Sequence, residues 1–199
     1  PGIAYLGPEG TFTEAALRAL AANGLIPSGG EPVTPIPAES TVAALAAVRA
    51  GEADFACVPI ENSIDGSVIP TLDSLADGAP LQVYAELTLD VAFTIAVRPG
   101  ARGEDVDTIA AFPVAAAQVK RWLAENLPKA QLVPANSNAA AAQDAAAGHA
   151  DAAVTTALAA ERYGLDTLAA DVVDDGLAVE FANGSSIESE PAAMMTLGR

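Results

Sequence analysis

The sequence is poor in cationic and sulfur-bearing side chains. Its 199 residues include 9 Lys and Arg against 26 Asp and Glu, which gives a net charge of −17 at pH 7. This charge disfavours non-specific binding to nucleic acid or to an anionic membrane surface. The single cysteine, Cys57, excludes an internal disulfide and has no partner for a metal site, so we predict a packed thiol and no bound metal.

Long apolar runs and leader-like segments are also missing. No stretch is apolar enough to span a bilayer, and the start PGIAYLGPEG has no basic region followed by an apolar one. A cytoplasmic protein without a membrane partner is therefore the expectation. GPEGTF has neither the GxGxxG spacing nor a Walker lysine and serine, so no nucleotide cofactor is predicted. The 51% of hydrophobic residues suffices for a core in one domain or two small ones.

Short apolar strands alternate with helices along the first 80 residues. Strands are predicted at 3–7, 33–36 and 54–60, and each is followed by a helix. This order is typical of a parallel sheet covered by helices.

After Gly78 the pattern changes and then returns. LQVYAELTLDVAFTIAVRPG predicts one or two extended strands that could cross between two lobes. Further strand–helix units follow, and one continuous helix is predicted over PVAAAQVKRWLAENLP. The last 20 or so residues show no clear periodicity and contain the loop-like cluster ANGSS.

The stretch FACVPIENSIDGSV, from Phe55 to Val68, joins an apolar strand to a polar turn. The strand is followed by a carboxylate, an amide and a hydroxyl, namely Glu61, Asn62 and Ser63. Open α/β sheets bind ligands at such strand ends. The alternative is a plain connection in which Ser63 or Asp65 caps the next helix. Gly66 is expected to take a positive φ in this turn.

Small polar residues stand beside several predicted helix starts. They are Thr11, Thr13, Ser40, Thr41, Asn62, Ser63, Ser137, Asn138, Thr155 and Thr156. Each of them alone is explained as a helix cap. Together, on one cleft, such groups and the exposed N–H groups of helix starts could bind carboxylates without Lys or Arg.

Five segments resemble, in order and spacing, the motifs of prephenate dehydratases. They are GPEGTFTEAA, CVPIENSIDGSV, FPVAAAQ, NSNAAAA and DAAVTTALAAERYGL. The resemblance implies an α/β fold of two lobes of strand–helix units with a central cleft, similar to type 2 periplasmic binding proteins. It also implies that the first lobe is discontinuous, 1–79 plus 158–199, with the second at 80–157 and the active site in the cleft.

The resemblance further implies decarboxylative dehydration of prephenate to phenylpyruvate in L-phenylalanine biosynthesis, without a cofactor. Carried over by motif position, the substrate-binding residues are Thr11, Thr13, Asn62, Ser63, Gln118, Ser137, Asn138 and Thr155. Glu61 and Gly66 are assigned to a structural turn. We prefer a buried, hydrogen-bonded Glu61 to a general acid, because a charged Glu beside a dianionic substrate opposes binding.

The C-terminal sequence departs from the family pattern. Relatives carry an Asn-x-x-Thr-Arg-Phe segment after the position of Asp175, and its Thr is generally assigned to the leaving hydroxyl. The segment is absent here, so no catalytic residue is assigned. The sequence also ends before an ACT domain could fit, so feedback inhibition through such a domain is not expected.

Two other classes of function stay open beside the dehydratase. One is a catalytically impaired module that binds an anionic small molecule in the same fold. The other is a cytoplasmic relative of solute-binding proteins that shares only the fold. A homodimer or homotetramer is the expectation for assembly.

Overall fold

The computed structural model describes residues 1–62, 66–174 and 192–198, the last of these as main chain. The chain divides into two compact units, Pro1–Asp90 with Glu190–Arg199, and Val91–Ser189. Each unit contains one mixed sheet. The first unit is therefore discontinuous in sequence.

The first unit consists of a sheet with three helices. Its strands are β1 (Gly2–Leu6), β2 (Thr34–Ala38), β3 (Phe55–Asn62), β4 (Gly66–Ser67), β5 (Gln82–Leu89) and β11 (Ala192–Gly198). Its helices are α1 (Phe12–Ala22), α2 (Thr41–Ala50) and α3 (Ile69–Ala76). The strand order is β2-β1-β3-β11-β5, and β4 pairs with the end of β3. Only β1, β2 and β3 are parallel, because β11 runs antiparallel to both of its neighbours.

Helix α2 illustrates how the sequence builds this unit. Its start is capped by Ser40, whose Oγ accepts the N–H of Ala43, and its end is Gly51 at φ +81°. A glycine takes this left-handed conformation without steric cost. The buried side of the helix, including Leu45 and Val48, packs on the apolar face of β1 and β3.

The second unit repeats the strand–helix plan. Its strands are β6 (Phe93–Val97), β7 (Thr108–Ala111), β8 (Gln131–Pro134), β9 (Ala152–Thr155) and β10 (Asp166–Val172). Its helices are α4 (Pro113–Gln118), α5 (Lys120–Asn126), α6 (Asn138–Ala147) and α7 (Ala157–Arg162), with a short 3-10 turn at Gly103–Asp105. The order is β10-β6-β9-β7-β8, and β6 is antiparallel to β9 and β10.

The alanine-rich helix α6 lies directly on this sheet. Its buried residues Ala141 and Ala145 cluster with Ala110 of β7 and Ala153 of β9. Side chains this small let the helix approach the strands closely, so the start of α6 is held firmly beside the end of β9.

The divisions of the chain differ from the predicted ranges 1–79 plus 158–199 and 80–157. The long β-rich segment forms two strands, and β5 pairs with β11 in the first unit whereas β6 pairs with β9 in the second. Helix α7 and strand β10 belong to the second unit, because β10 pairs with β6. The predicted parallel pairing of the first three strands is confirmed, because β1 is parallel to both β2 and β3. Among the described helices, none has the length and apolar character needed to cross a membrane.

Candidate active site

The start of α1 contains two of the predicted substrate residues, Thr11 and Thr13. The Thr11 hydroxyl accepts the N–H of Glu14 at 3.3 Å and donates to the carbonyl of Leu6 at 3.1 Å. Both bonds tie the end of β1 to the start of α1. Thr11 therefore acts as the helix cap, which was the simpler of the two predicted roles.

Glu14 is an important residue here that the sequence reasoning missed. It is 2% exposed and accepts the N–H of Gly10 at 2.6 Å and two N–H groups of Arg18, at 3.0 and 2.7 Å. Its carboxylate lies where the positive end of the helix dipole stabilises an anion. The Thr-x-x-Glu spacing of Thr11 and Glu14 is a capping-box signal that could have revealed it.

Thr13 lies in the first turn of the same helix and is buried. Its carbonyl is 3.9 Å from the thiol of Cys57, which is itself fully buried in β3. Burial raises the pKa of the Cys57 thiol to about 12, so the group stays protonated at neutral pH. The predicted packed thiol is confirmed.

The end of β3 forms a hairpin with β4. In the ladder, Asn62 lies opposite Gly66, and Glu61 lies opposite Ser67. Gly66 has φ +77°, which confirms the predicted positive φ. Glu61 is exposed to solvent, so the preference for a buried carboxylate was wrong.

In the sheet Glu61 is paired with Ser67 of β4 on one side and with Ala193 of β11 on the other, and the residue is exposed to solvent. The hydroxyl of Thr71 in α3 donates to the carbonyl of Pro59 at 2.8 Å and holds the helix against β3. Ser63 and Asp65 lie outside the described residues.

In the second unit, three predicted residues meet where α6 begins and β9 ends. Ser137 caps α6, its Oγ accepting the N–H of Ala140 at 3.0 Å. The hydroxyl of Thr155 is fully buried and donates to the carbonyl of Asn138 at 2.6 Å. The Thr155 proton is thus engaged in holding α6 to β9.

Asn138 carries the unpaired polar atom of this cluster. Its Oδ1 is buried and has no hydrogen-bond partner in the part of the chain that the structure describes. A buried amide oxygen without a partner costs free energy, so such an atom in a folded protein requires an explanation. It adjoins the N-terminus of a ten-residue helix, where anions bind.

Gln118, the remaining predicted residue, ends α4 and is half-buried. Its carbonyl accepts the N–H of Asp174 at 2.7 Å. No three His, Cys, Asp or Glu side chains of the described segments lie close enough together to hold a metal ion.

A separate depression of about 530 Å³ lies in the first unit. Its lining includes Asp54, Phe55 and Tyr84 and contains none of the predicted site residues. It lies at the amino end of β3, whereas the candidate residues follow the carboxyl ends of strands. Ligands of open α/β sheets bind at the carboxyl ends, so the depression is not the candidate site.

Comparison with known sequences decides the family. The sequence model of the family described as prephenate dehydratase matches residues 3–178. The chain belongs to the prephenate dehydratase family. A prephenate dehydratase of Mycolicibacterium vanbaalenii is 77% identical over 181 residues, which cover 88% of this chain and 58% of that protein. The chain thus spans a little over half the length of this relative.

Solved structures give the same fold. A prephenate dehydratase of Arthrobacter aurescens in complex with L-Phe is 35% identical, with a TM-score of 0.81 over 100% of this chain and 60% of that chain. A quorum quenching acylase is 27% identical, with a TM-score of 0.78 over 100% of this chain and 64% of that chain.

A nutrient binding protein of Burkholderia cenocepacia shares the fold alone. It is 14% identical, with a TM-score of 0.52 over 100% of this chain and 84% of that chain. The predicted α/β fold class, similar to that of periplasmic binding proteins, is confirmed.

Proposed function

We propose that this chain catalyses the decarboxylative dehydration of prephenate to phenylpyruvate, as part of L-phenylalanine biosynthesis. The observation that carries the proposal is the family match, which spans all five motifs in order. The structural relatives include an acylase, so fold alone would not select this reaction. A cytoplasmic location and a homodimeric or homotetrameric assembly are parts of the same proposal.

The reaction makes two demands on the site. Loss of the ring carboxylate as carbon dioxide supplies the electron pair that aromatises the ring, and the ring hydroxyl leaves as water after taking a proton. The site must therefore orient a proton donor toward the departing oxygen and hold the side-chain carboxylate. Aromatisation drives the step, so we propose no metal or organic cofactor.

The start of α6 supports binding of such a substrate. The Asn138 amide oxygen can accept a hydrogen bond from the substrate hydroxyl, and the main-chain N–H groups of the first turn favour a carboxylate. The Ser137 hydroxyl accepts from Ala140 and can donate its own proton to a ligand. These groups bind an anion without a Lys or Arg side chain.

The other proposed substrate residues are those that the motifs named. We retain Thr13, Asn62 and Gln118 as contacts, and assign Thr11 and Thr155 to holding helix starts in place. The proton donor stays unassigned, because the family's Thr-Arg-Phe threonine has no counterpart in this sequence.

Turnover by this chain tests the proposal. Phenylpyruvate formation from prephenate is measured at neutral pH against the uncatalysed background, for the wild type and for Asn138→Ala. Asn138→Ala is expected to raise KM by about tenfold, the loss of one good hydrogen bond to the substrate. Asn136→Ala, which removes an exposed amide just before the same helix, is the matched control and should leave KM unchanged.

Three outcomes separate the hypotheses. Turnover by the wild type supports the dehydratase and means that another donor replaces the missing threonine. No turnover, with prephenate still raising Tm, favours the impaired anion-binding module. The absence of turnover together with an unchanged Tm contradicts both hypotheses.

A further inference from the structure

The Asp174 carboxylate, just beyond β10, reaches back to the start of α5. One oxygen accepts the N–H of Arg121 at 2.6 Å and the other accepts the N–H of Trp122 at 2.9 Å. These contacts join residues 53 and 52 positions apart in sequence. The side chain thus links two segments that are distant in sequence.

Helix α5 needs an acceptor from another segment because its own N-cap residue has no side-chain hydrogen-bond acceptor. The helix begins after Val119, a residue at φ −126° and ψ 13° whose side chain makes no cap hydrogen bond. The N–H groups in the first turn of a helix have no partner within the helix. Asp174 bonds two of them, and its negative charge is favourable at this end of the helix dipole.

The main chain of Asp174 holds the other side of the break. Its N–H donates to the carbonyl of Gln118, the last residue of α4, at 2.7 Å. Asp174 therefore contacts the residues on both flanks of Val119. The sequence from Pro113 to Leu127 predicts one continuous helix, so the break at Val119 requires a cause outside that segment.

The route of β10 leads the chain to this contact. The strand changes register against β6 between Thr167 and Ala169 and again between Ala169 and Val172. Within the second irregularity Asp171 has φ +53°, a left-handed conformation that residues other than glycine adopt at a steric cost. Pairing with β6 resumes at Val172, opposite Phe93, so the strand ends two residues before Asp174.

We propose that Asp174 is a positioning residue, which breaks the α4–α5 helix at Val119 and thereby sets the orientation of Gln118 for substrate binding. The second part of this inference rests on the proposed function, in which Gln118 contacts prephenate. Without Asp174, Val119 can take helical dihedral angles, and the residues before it rotate relative to the sheet. A displacement of this kind at a substrate contact weakens binding without touching the substrate itself.

The test compares Asp174→Ala with Asp174→Asn and with Asp166→Ala. Asp166 lies at the other end of β10, and its carboxylate accepts one main-chain N–H, from Gly100 at 2.9 Å. It is therefore a matched control for the loss of a long-range carboxylate bond. Asp174→Asn keeps the side-chain length and one acceptor oxygen. Its Val119 chemical shift and its KM should therefore lie between those of the wild type and of Asp174→Ala.

Two readouts are combined. In Asp174→Ala the 13Cα chemical shift of Val119 should move to the helical range, and KM for prephenate should rise by about tenfold while kcat stays within about twofold. Asp174→Ala should add little to the KM of Gln118→Ala, because both changes remove the same contact. Asp166→Ala should leave the Val119 shift and KM at their wild-type values.

The proposal is overturned if Val119 keeps its shift in Asp174→Ala, or if the KM of Asp174→Ala equals that of Asp166→Ala. A wild-type chain without turnover contradicts the proposed function instead. In that case the Val119 shift alone decides whether Asp174 breaks the helix. A helical shift in Asp174→Ala supports that part and an unchanged shift rejects it.

Discussion

The starts of α1 and α6 are built alike and differ in what they leave available. Each begins with a hydroxyl residue, Thr11 or Ser137, that accepts an N–H from the first turn. At α1 the neighbouring acidic group, Glu14, is bonded to Gly10 and Arg18. At α6 the neighbouring amide oxygen has no partner in the described chain.

The difference follows from the residues that surround each start. Helix α1 has Arg18 one turn after Glu14, so the Glu14 carboxylate forms an ion pair with the Arg18 guanidinium. Helix α6 is mostly alanine, which brings it close to the sheet but offers its start no polar partner. Under the proposed function, a motif residue builds the scaffold in the first unit and binds a ligand in the second.

The largest expected effect concerns the scaffold at α1. Glu14→Ala leaves the N–H of Gly10 without its buried acceptor and should lower the free energy of unfolding by about 2–3 kcal/mol. Urea denaturation measures the loss. Arg18→Ala is the control and should cost less, because Arg18 is half exposed and the bond from Gly10 to Glu14 is kept. Equal losses in the two variants would mean that the ion pair, not the Gly10 bond, dominates.

The next effect concerns the turn at the end of β3. Gly66→Val should lower the free energy of unfolding by about 1–2 kcal/mol, because a β-branched residue is strained at φ +77°. The cost is conformational, since a Cβ at Gly66 would meet no atom of the described residues within 4 Å. Gly66→Asn should be milder, as asparagine tolerates this region. Wild-type stability in Gly66→Val would show that the turn readily adopts another conformation.

The two caps provide the most direct comparison. Thr11→Ala and Ser137→Ala should each lower the free energy of unfolding by about 1 kcal/mol, the usual cost of losing an N-cap. Only Ser137→Ala is expected to raise KM for prephenate as well, because only that hydroxyl adjoins the unpaired amide oxygen. Thermal unfolding and turnover measured on both variants check this. A matching rise in KM for Thr11→Ala would remove the distinction between the two starts.

The smallest effect at neutral pH concerns Cys57. Because burial raises its pKa to about 12, the folded thiol should not react with a disulfide reagent at pH 8 until the chain unfolds. The raised pKa also means that its contribution to stability is complete below about pH 9 and is lost as pH rises through about 12. Cys57→Ala should lack this alkaline loss. Rapid labelling of the folded chain would show that the first unit opens at this strand.

Local chemistry was sufficient to predict the helix starts. Ser40 and Ser137 were among the residues predicted as caps from their positions beside the helix starts. The motif residues at the start of α6 were likewise found from a contiguous segment. Such features depend on the main chain's own unpaired N–H and C=O groups, which nearby side chains satisfy.

Features that depend on distant residues were not predicted. Strand β11 is defined by pairing with β3 and β5, which lie about 100 residues or more away in sequence. Its own sequence shows no clear hydrophobic periodicity that would predict a strand. In our proposal the break at Val119 depends on Asp174, which is distant in sequence. A single sequence contains no local signal for such contacts.

The central claim is that the start of α6 binds the substrate whereas the start of α1 holds the scaffold. The rise in Tm produced by saturating prephenate tests it most directly, compared among the wild type, Asn138→Ala and Thr11→Ala. The account predicts a rise in the wild type and in Thr11→Ala, and a much smaller one in Asn138→Ala. A rise of wild-type size in Asn138→Ala would contradict it.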